Sequence, residues 1–125
     1  MILALPSNNR RAAWRSRMRS TYWCGVAEVL RHVVFWNQYV TNRALGKKAD
    51  DSANEIPKDK FSAKAQIVGA LKRSAHEASS ALKSSEASAE VAEMVLSFIE
   101  HNCEHYGQLA VYARMNNIVP PASRG

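Results

Sequence analysis

Residues 101–109, HNCEHYGQL, hold the densest chemistry of the chain: two histidines four apart, His101 and His105, with Glu104 between them. An α-helix turns about 100° per residue, so this spacing puts both imidazoles on one face, about 40° and one turn apart. Side chains so placed have Cβ atoms about 5–6 Å apart, and metal–nitrogen bonds near 2.1 Å let such a pair share one ion. Met94, Phe98, Gln108 and Tyr112 fall on the same face, which is the apolar, inward one. Cys103 points to the other side and reads as a buried or half-buried thiol with no part in ligation.

A third ligand would turn a chelating pair into a centre. His32 is the candidate, because it shares a face with Glu28, Val29, Trp36 and Tyr39; the remaining histidine, His76, sits among Arg73, Glu77 and small residues and reads as surface. A His32–His101–His105 set would bind a divalent ion through three neutral nitrogens and leave positions for water or substrate, as catalytic sites do. Such an ion lowers the pKa of a bound water or thiol. Each imidazole also needs a partner for its other N–H, and Gln108 and Glu28 are placed on the histidine faces to serve. HNCEH also fits H-x-x-E-H, a zinc-protease arrangement with Glu104 as base. That reading needs a further carboxylate ligand downstream, and no Asp or Glu follows His105.

Three long segments must position these residues. STYWCGVAEVLRHVVFWNQYVTNRALG (20–46) reads as a helix capped by Ser20 or Thr21 and ended at Gly46, with Val26, Val29, Val33, Trp36 and Val40 at helical spacing. GKKADDSANEIPKDK (46–60) is polar, contains Pro57, and is long for a helix connection, so it is expected to cross the bundle or cover something. SAKAQIVGALKRSAHEASSALKSS (62–85) reads as a second helix, capped by Ser62, with Ile67, Leu71, Ala75, Ala78 and Leu82 as its stripe. The third, AEVAEMVLSFIEHNCEHYGQLAVYARMN (89–116), carries Val91, Val95, Phe98, Asn102, His105, Leu109 and Tyr112 in a four-three rhythm, and Asn116, Asn117 and the prolines beyond end it. Three helices without a strand pattern predict an all-α, antiparallel helical bundle over residues 20–125.

The 125 residues suit one domain with one core, and 46% of them are apolar. The net charge of +6 is unevenly held: residues 10–31 contain six arginines against Glu28 alone, while residues 32–125 hold eleven basic and ten acidic side chains. Residues 1–19 therefore read as a basic, poorly ordered segment, a composition that also suits contact with nucleic acid or acidic lipid, or a transit peptide. Nucleic-acid binding is not expected, because only Trp14 interleaves the arginines and no helix–turn–helix pattern follows. Cys24 and Cys103 are too few for a disulfide framework, and no apolar run could span a bilayer, so no membrane partner and a cytoplasmic location are expected.

EHNCEHYGQLAVYARMNNIVPPASR resembles the closing helix and tail of the DinB/YfiT-like family of metalloenzymes, and EVLRHVVFWNQYV resembles the family's earlier helix that carries its first histidine. The resemblance covers residues 21–125. It implies an antiparallel four-helix bundle, often a homodimer, holding a divalent ion, nickel or zinc, on His32, His101 and His105. It further implies a thiol-dependent transferase or metal-dependent hydrolase acting on a small-molecule substrate, with a low-molecular-weight thiol as cosubstrate; the alternative reading is a non-catalytic helical dimerisation or interaction protein with a structural or degraded metal site. The family's first helix has no counterpart pattern here, since residues 1–19 stand in its place, and a three-helix remnant would leave an apolar groove open.

Overall fold

In the computed structural model of this chain, residues 8–125 are described, with side chains from Gly25 onward. The basic segment 1–19 thus lies outside the described residues except for backbone from Asn8. Three α-helices are present: α1 (Asn8–Ala44), α2 (Lys64–Ser84) and α3 (Ala89–Met115), followed by a single 3-10 turn at Pro121–Ser123. The described residues contain no strand, so the all-α expectation holds, and no fourth α-helix is among them. No helix among the described residues is long and apolar enough to cross a membrane.

The helix ends follow local chemistry. α1 opens at Asn8, so Ser20 and Thr21 lie inside the helix and neither is its N-cap. It closes at Gly46, whose φ of +68° suits a residue without Cβ. The Lys47 N–H reaches the Asn42 carbonyl at 2.8 Å and the Gly46 N–H reaches Arg43 at 3.1 Å, a Schellman closure. α3 ends the same way with Asn117 (φ +59°) in the glycine role, the Ile118 N–H bonding the Ala113 carbonyl at 2.9 Å. Ser88 caps its start by accepting from the Val91 N–H at 3.1 Å. The cap of α2 is Ala63 rather than Ser62. Alanine offers no side-chain acceptor, and the Gln66 carbonyl oxygen reaches back to the Ala63 N–H at 3.0 Å instead.

Paired contacts give the helix directions. Asn37 bonds Ser74 and Ala44 receives the Ser85 hydroxyl, so α2 runs parallel to α1. Gly25 faces Tyr112, whose ring a Cβ placed on Gly25 would meet at 3.6 Å, while Arg43 pairs with Glu90, so α3 runs antiparallel to α1. The uniformly antiparallel bundle expected from the sequence is therefore only half realised. The reason is residues 45–63: they travel back along α1 before α2 begins, as a parallel pair requires.

α1 is the central element, packing most extensively on α2 and also on α3. Val34 meets Ala70 of α2 and Ile56 of the crossover in the core, with Phe35, Phe61 and Leu71 against them. On a helix of about 100° per residue, Gly25, His32, Trp36, Tyr39 and Arg43 lie about 180° away from Val34, on the side facing α3. The valine stripe anticipated for α1 falls in the sector between these two faces, with Val29 and Val33 buried there. α3 is shallowly seated: its expected seam residues are half-buried, Ala113 alone is fully buried, and Leu96 and Ile99 stand exposed at 67% and 52%. The open apolar side expected of a three-helix arrangement is thus present on α3.

Candidate metal centre

The antiparallel pairing of α1 and α3 brings His32 level with His101 and His105. The His32 and His101 Nε2 atoms are 3.0 Å apart, and those of His105 and His101 are 3.1 Å apart. One ligand nitrogen from each of the three residues lies within 4.8 Å of the others. The set chosen from the sequence is therefore assembled in space, and all three rings are half-buried.

The outer nitrogens fix the tautomers. His32 Nδ1 lies 2.8 Å from the Asn54 backbone carbonyl, which can only accept, so Nδ1 carries the proton and Nε2 presents a lone pair. His105 Nδ1 lies 2.9 Å from Gln108 Oε1 and donates likewise, leaving its Nε2 as a lone pair too. Two lone pairs thus converge on the Nε2 of His101, which can donate one proton at most. Hydrogen bonding within the cluster cannot satisfy this arrangement, whereas one cation satisfies all three nitrogens at once.

The distances fit the same cation. With metal–nitrogen bonds of about 2.1 Å, N···N separations of about 3.0 Å correspond to ligand–metal–ligand angles near 90°, and a tetrahedral angle would need about 3.4 Å. Both separations, 3.0 and 3.1 Å, are short enough for neighbouring nitrogens to share one ion. Electrostatics keep His101 neutral. Desolvation, reinforced by the His105 and His32 rings and opposed by Glu104, pushes His101 down to about 4 from an ordinary 6.5. A neutral imidazole is the form that binds metal.

Gln108 takes the supporting role expected of it and continues the chain, its amide Nε2 donating to the Tyr112 hydroxyl at 3.0 Å. Glu28 does not hold an imidazole N–H. Both nitrogens of His32 have other partners, and Glu28 is an exposed carboxylate in the wall of the adjoining cavity. The Asn54 carbonyl fills the role assigned to Glu28. Sequence reasoning missed it because a backbone oxygen belongs to every residue type; the length of the polar connection was the one available signal.

The crossover is fastened where it meets the site. Arg31, buried at 4% exposure, pairs with Glu55 at 3.0 Å and donates to the Phe61 carbonyl at 3.3 Å. The Trp36 indole N–H donates to the Asn54 side-chain oxygen at 3.1 Å. These contacts grip Asn54 from both sides and so aim its carbonyl at His32.

Cys103 is exposed, not buried as expected, and lies outside the ligand cluster. Glu104 is exposed, and no carboxylate joins the histidines in the cluster among the described residues, so the zinc-protease arrangement is not formed there. His76 is exposed on α2, as anticipated. A cavity of about 290 Å³ adjoins the histidines, walled by Glu28, His32, Asn54, His105, Gln108 and Tyr112.

The chain was compared with protein-family models, with curated proteins and with solved structures, and nothing matches it in any of the three.

Proposed function

We propose that this chain is a DinB-like metal-binding helical protein that holds a divalent ion, nickel or zinc, on His32, His101 and His105 and acts as a thiol-dependent transferase or metal-dependent hydrolase. The observation that carries the reading is the convergence of three Nε2 atoms, with separations of 3.0 and 3.1 Å, at a point where two of them present lone pairs. The HNCEHYGQL and LRHVVFWN motifs support the family assignment by resemblance.

When bound, such an ion lowers the pKa of a thiol or water in its open positions, supplying a nucleophile at neutral pH. The protein's part is positioning. His32, His101 and His105 would hold the ion, and His32 and His105 also line the adjoining cavity. The Asn54 carbonyl and Gln108 lock the ring orientations of His32 and His105. Gln108 also spends its amide on the acceptor side of the Tyr112 hydroxyl, leaving that O–H free to donate to a reacting oxygen in the cavity. The chemistry needs no protein nucleophile, consistent with an exposed Cys103 away from the cluster.

The test is metal content by elemental analysis of tag-free protein beside His32→Ala and His101→Ala. About one nickel or zinc per chain, lost in both variants, is the expected result. An ion lost only with His101 reduces the site to the α3 pair, and protein that takes up neither metal when supplied sinks the reading.

A further inference from the structure

We infer that the cavity beside the three histidines takes a small thiol that also carries a positive charge, with Glu28 as the residue that receives the charge; this rests on the metal reading above.

The polar groups around the cavity differ in what they are already committed to. The Asn54 carbonyl is bonded to His32, Gln108 is bonded to His105 and Tyr112, and the Glu55 carboxylate is bonded to Arg31. Glu28 has no ion-pair or hydrogen-bond partner among the described residues, yet it lines the same cavity as His32 and His105. It stands one turn before His32 on α1, about 40° around the helix, so it sits beside the ligand face rather than on a remote surface. It is not in the ligand cluster. The cavity therefore has a corner formed by His32 and His105 of the histidine cluster and, set apart from it, Glu28, the one of its two carboxylates that is not already paired.

That polarity selects a ligand. A thiolate bearing an ammonium a few bonds away is negative at sulfur and positive at nitrogen, and so matches a cation at one end and a carboxylate at the other. A neutral thiol leaves Glu28 without a counterion, and an anionic thiol places like charges together. The small volume favours a compact molecule, and Tyr112 is part of the same wall.

The test uses the full chain loaded with cobalt(II), whose sulfur-to-metal charge-transfer absorption reports thiol binding without any enzymatic turnover. Three probes are titrated: thiocholine, whose quaternary nitrogen cannot itself ligate metal, neutral 2-mercaptoethanol and anionic 3-mercaptopropionate. Glu28→Gln is expected to weaken thiocholine by about three- to tenfold, as loss of one partly exposed charge pair should. The same variant leaves 2-mercaptoethanol within about twofold and strengthens 3-mercaptopropionate, and Glu28→Lys carries the order further toward the anionic thiol. Glu28 is exposed, so neither substitution threatens folding. Equal effects on thiocholine and 2-mercaptoethanol, or none on either, overturn the inference. So does cobalt that binds but responds to no thiol, while leaving the metal site standing. Cobalt that fails to bind, or that stays bound in His101→Ala, overturns the three-histidine reading and the inference with it.

Discussion

His32 and His101 are 69 residues apart in the chain, yet their Nε2 atoms stand 3.0 Å from one another. One sits on the central helix and the other on the most shallowly packed helix, so the centre bridges two elements whose mutual burial is modest. An ion at this point is a staple between α1 and α3 as well as a chemical centre. Occupancy by metal is therefore expected to stabilise the fold. At nickel or zinc a hundredfold above its dissociation constant, the gain is about 2.7 kcal/mol, read as a shift of the urea midpoint between chelator-treated and metal-loaded protein. Equal midpoints in the two samples would count against a bound ion.

Gln108 is where the centre meets its supporting network. It accepts from His105 Nδ1 at 2.9 Å and donates to Tyr112 at 3.0 Å, so its loss frees the His105 ring to rotate and change tautomer. Gln108→Leu keeps the size and removes both bonds. Metal affinity, measured by competition with a chromophoric chelator, is expected to fall about 10- to 100-fold while helicity is unchanged. An unaltered affinity would show that the helix alone fixes the His105 ring.

Acid should weaken the metal-free protein through His101. Its folded pKa is depressed, to about 4 from 6.5. The unfolded chain therefore takes up a proton before the folded chain does, and stability is full above about pH 6.5 and falls as pH drops toward 4. The ring is half-exposed, so the loss expected is about 1–2 kcal/mol, well below what full burial would give. Urea unfolding at several pH values, in wild type and His101→Gln, checks it: the slope over this range flattens in the variant. A slope equal in both proteins places the acid sensitivity elsewhere.

Much of this was written in the sequence, and the misses have physical reasons. The four-residue spacing of His101 and His105 fixes their common face because helix geometry does so locally. The ends at Gly46 and Asn117 were legible because few residue types tolerate positive φ. Arg31 was not legible as a core residue. Arginine is rarely buried, and what permits it is Glu55, 24 positions away on a returning loop. The parallel run of α1 and α2 was invisible for a related reason. Periodicity describes each helix in isolation, and the direction of the second depends on the path of residues 45–63. Ala63 took the cap from Ser62 because Gln66 supplied the missing bond from inside the helix.

The Arg31–Glu55 pair should matter more than a surface bridge. Arg31 is almost fully enclosed and Glu55 is partly open, with side-chain exposures of 5% and 38%. Glu55→Gln leaves a buried guanidinium without its carboxylate and loosens the segment that presents Asn54. A loss of about 1–3 kcal/mol is expected, less than for a fully buried pair because water reaches Glu55. Hydrogen exchange should rise at residues 54–61, and metal affinity should fall although no ligand has changed. By contrast, breaking the exposed Arg43–Glu90 bridge with Glu90→Gln is expected to change stability little. Equal costs for the two would remove the case for Arg31 as an anchor.

Asn37 and Ser74 are a polar pair in the α1–α2 core, exposed at 1% and 2% and joined by a 3.2 Å bond from the Asn37 amide to the serine hydroxyl. The Asn37 Oδ1 is buried with no hydrogen-bond partner. Such a pair is expensive to break and inexpensive to replace whole. Ser74→Ala strands the Asn37 amide as well and should cost about 1–3 kcal/mol. Asn37→Leu with Ser74→Ala removes every unmet polar group while keeping similar shape, and should recover most of that loss. Both variants and Asn37→Leu alone are compared with wild type by urea unfolding, and the non-additivity of the two single changes is the readout. A double variant no better than Ser74→Ala would mean that the core cannot accommodate leucine at position 37, and that the polar pair is retained for fit between α1 and α2 rather than in spite of its energy.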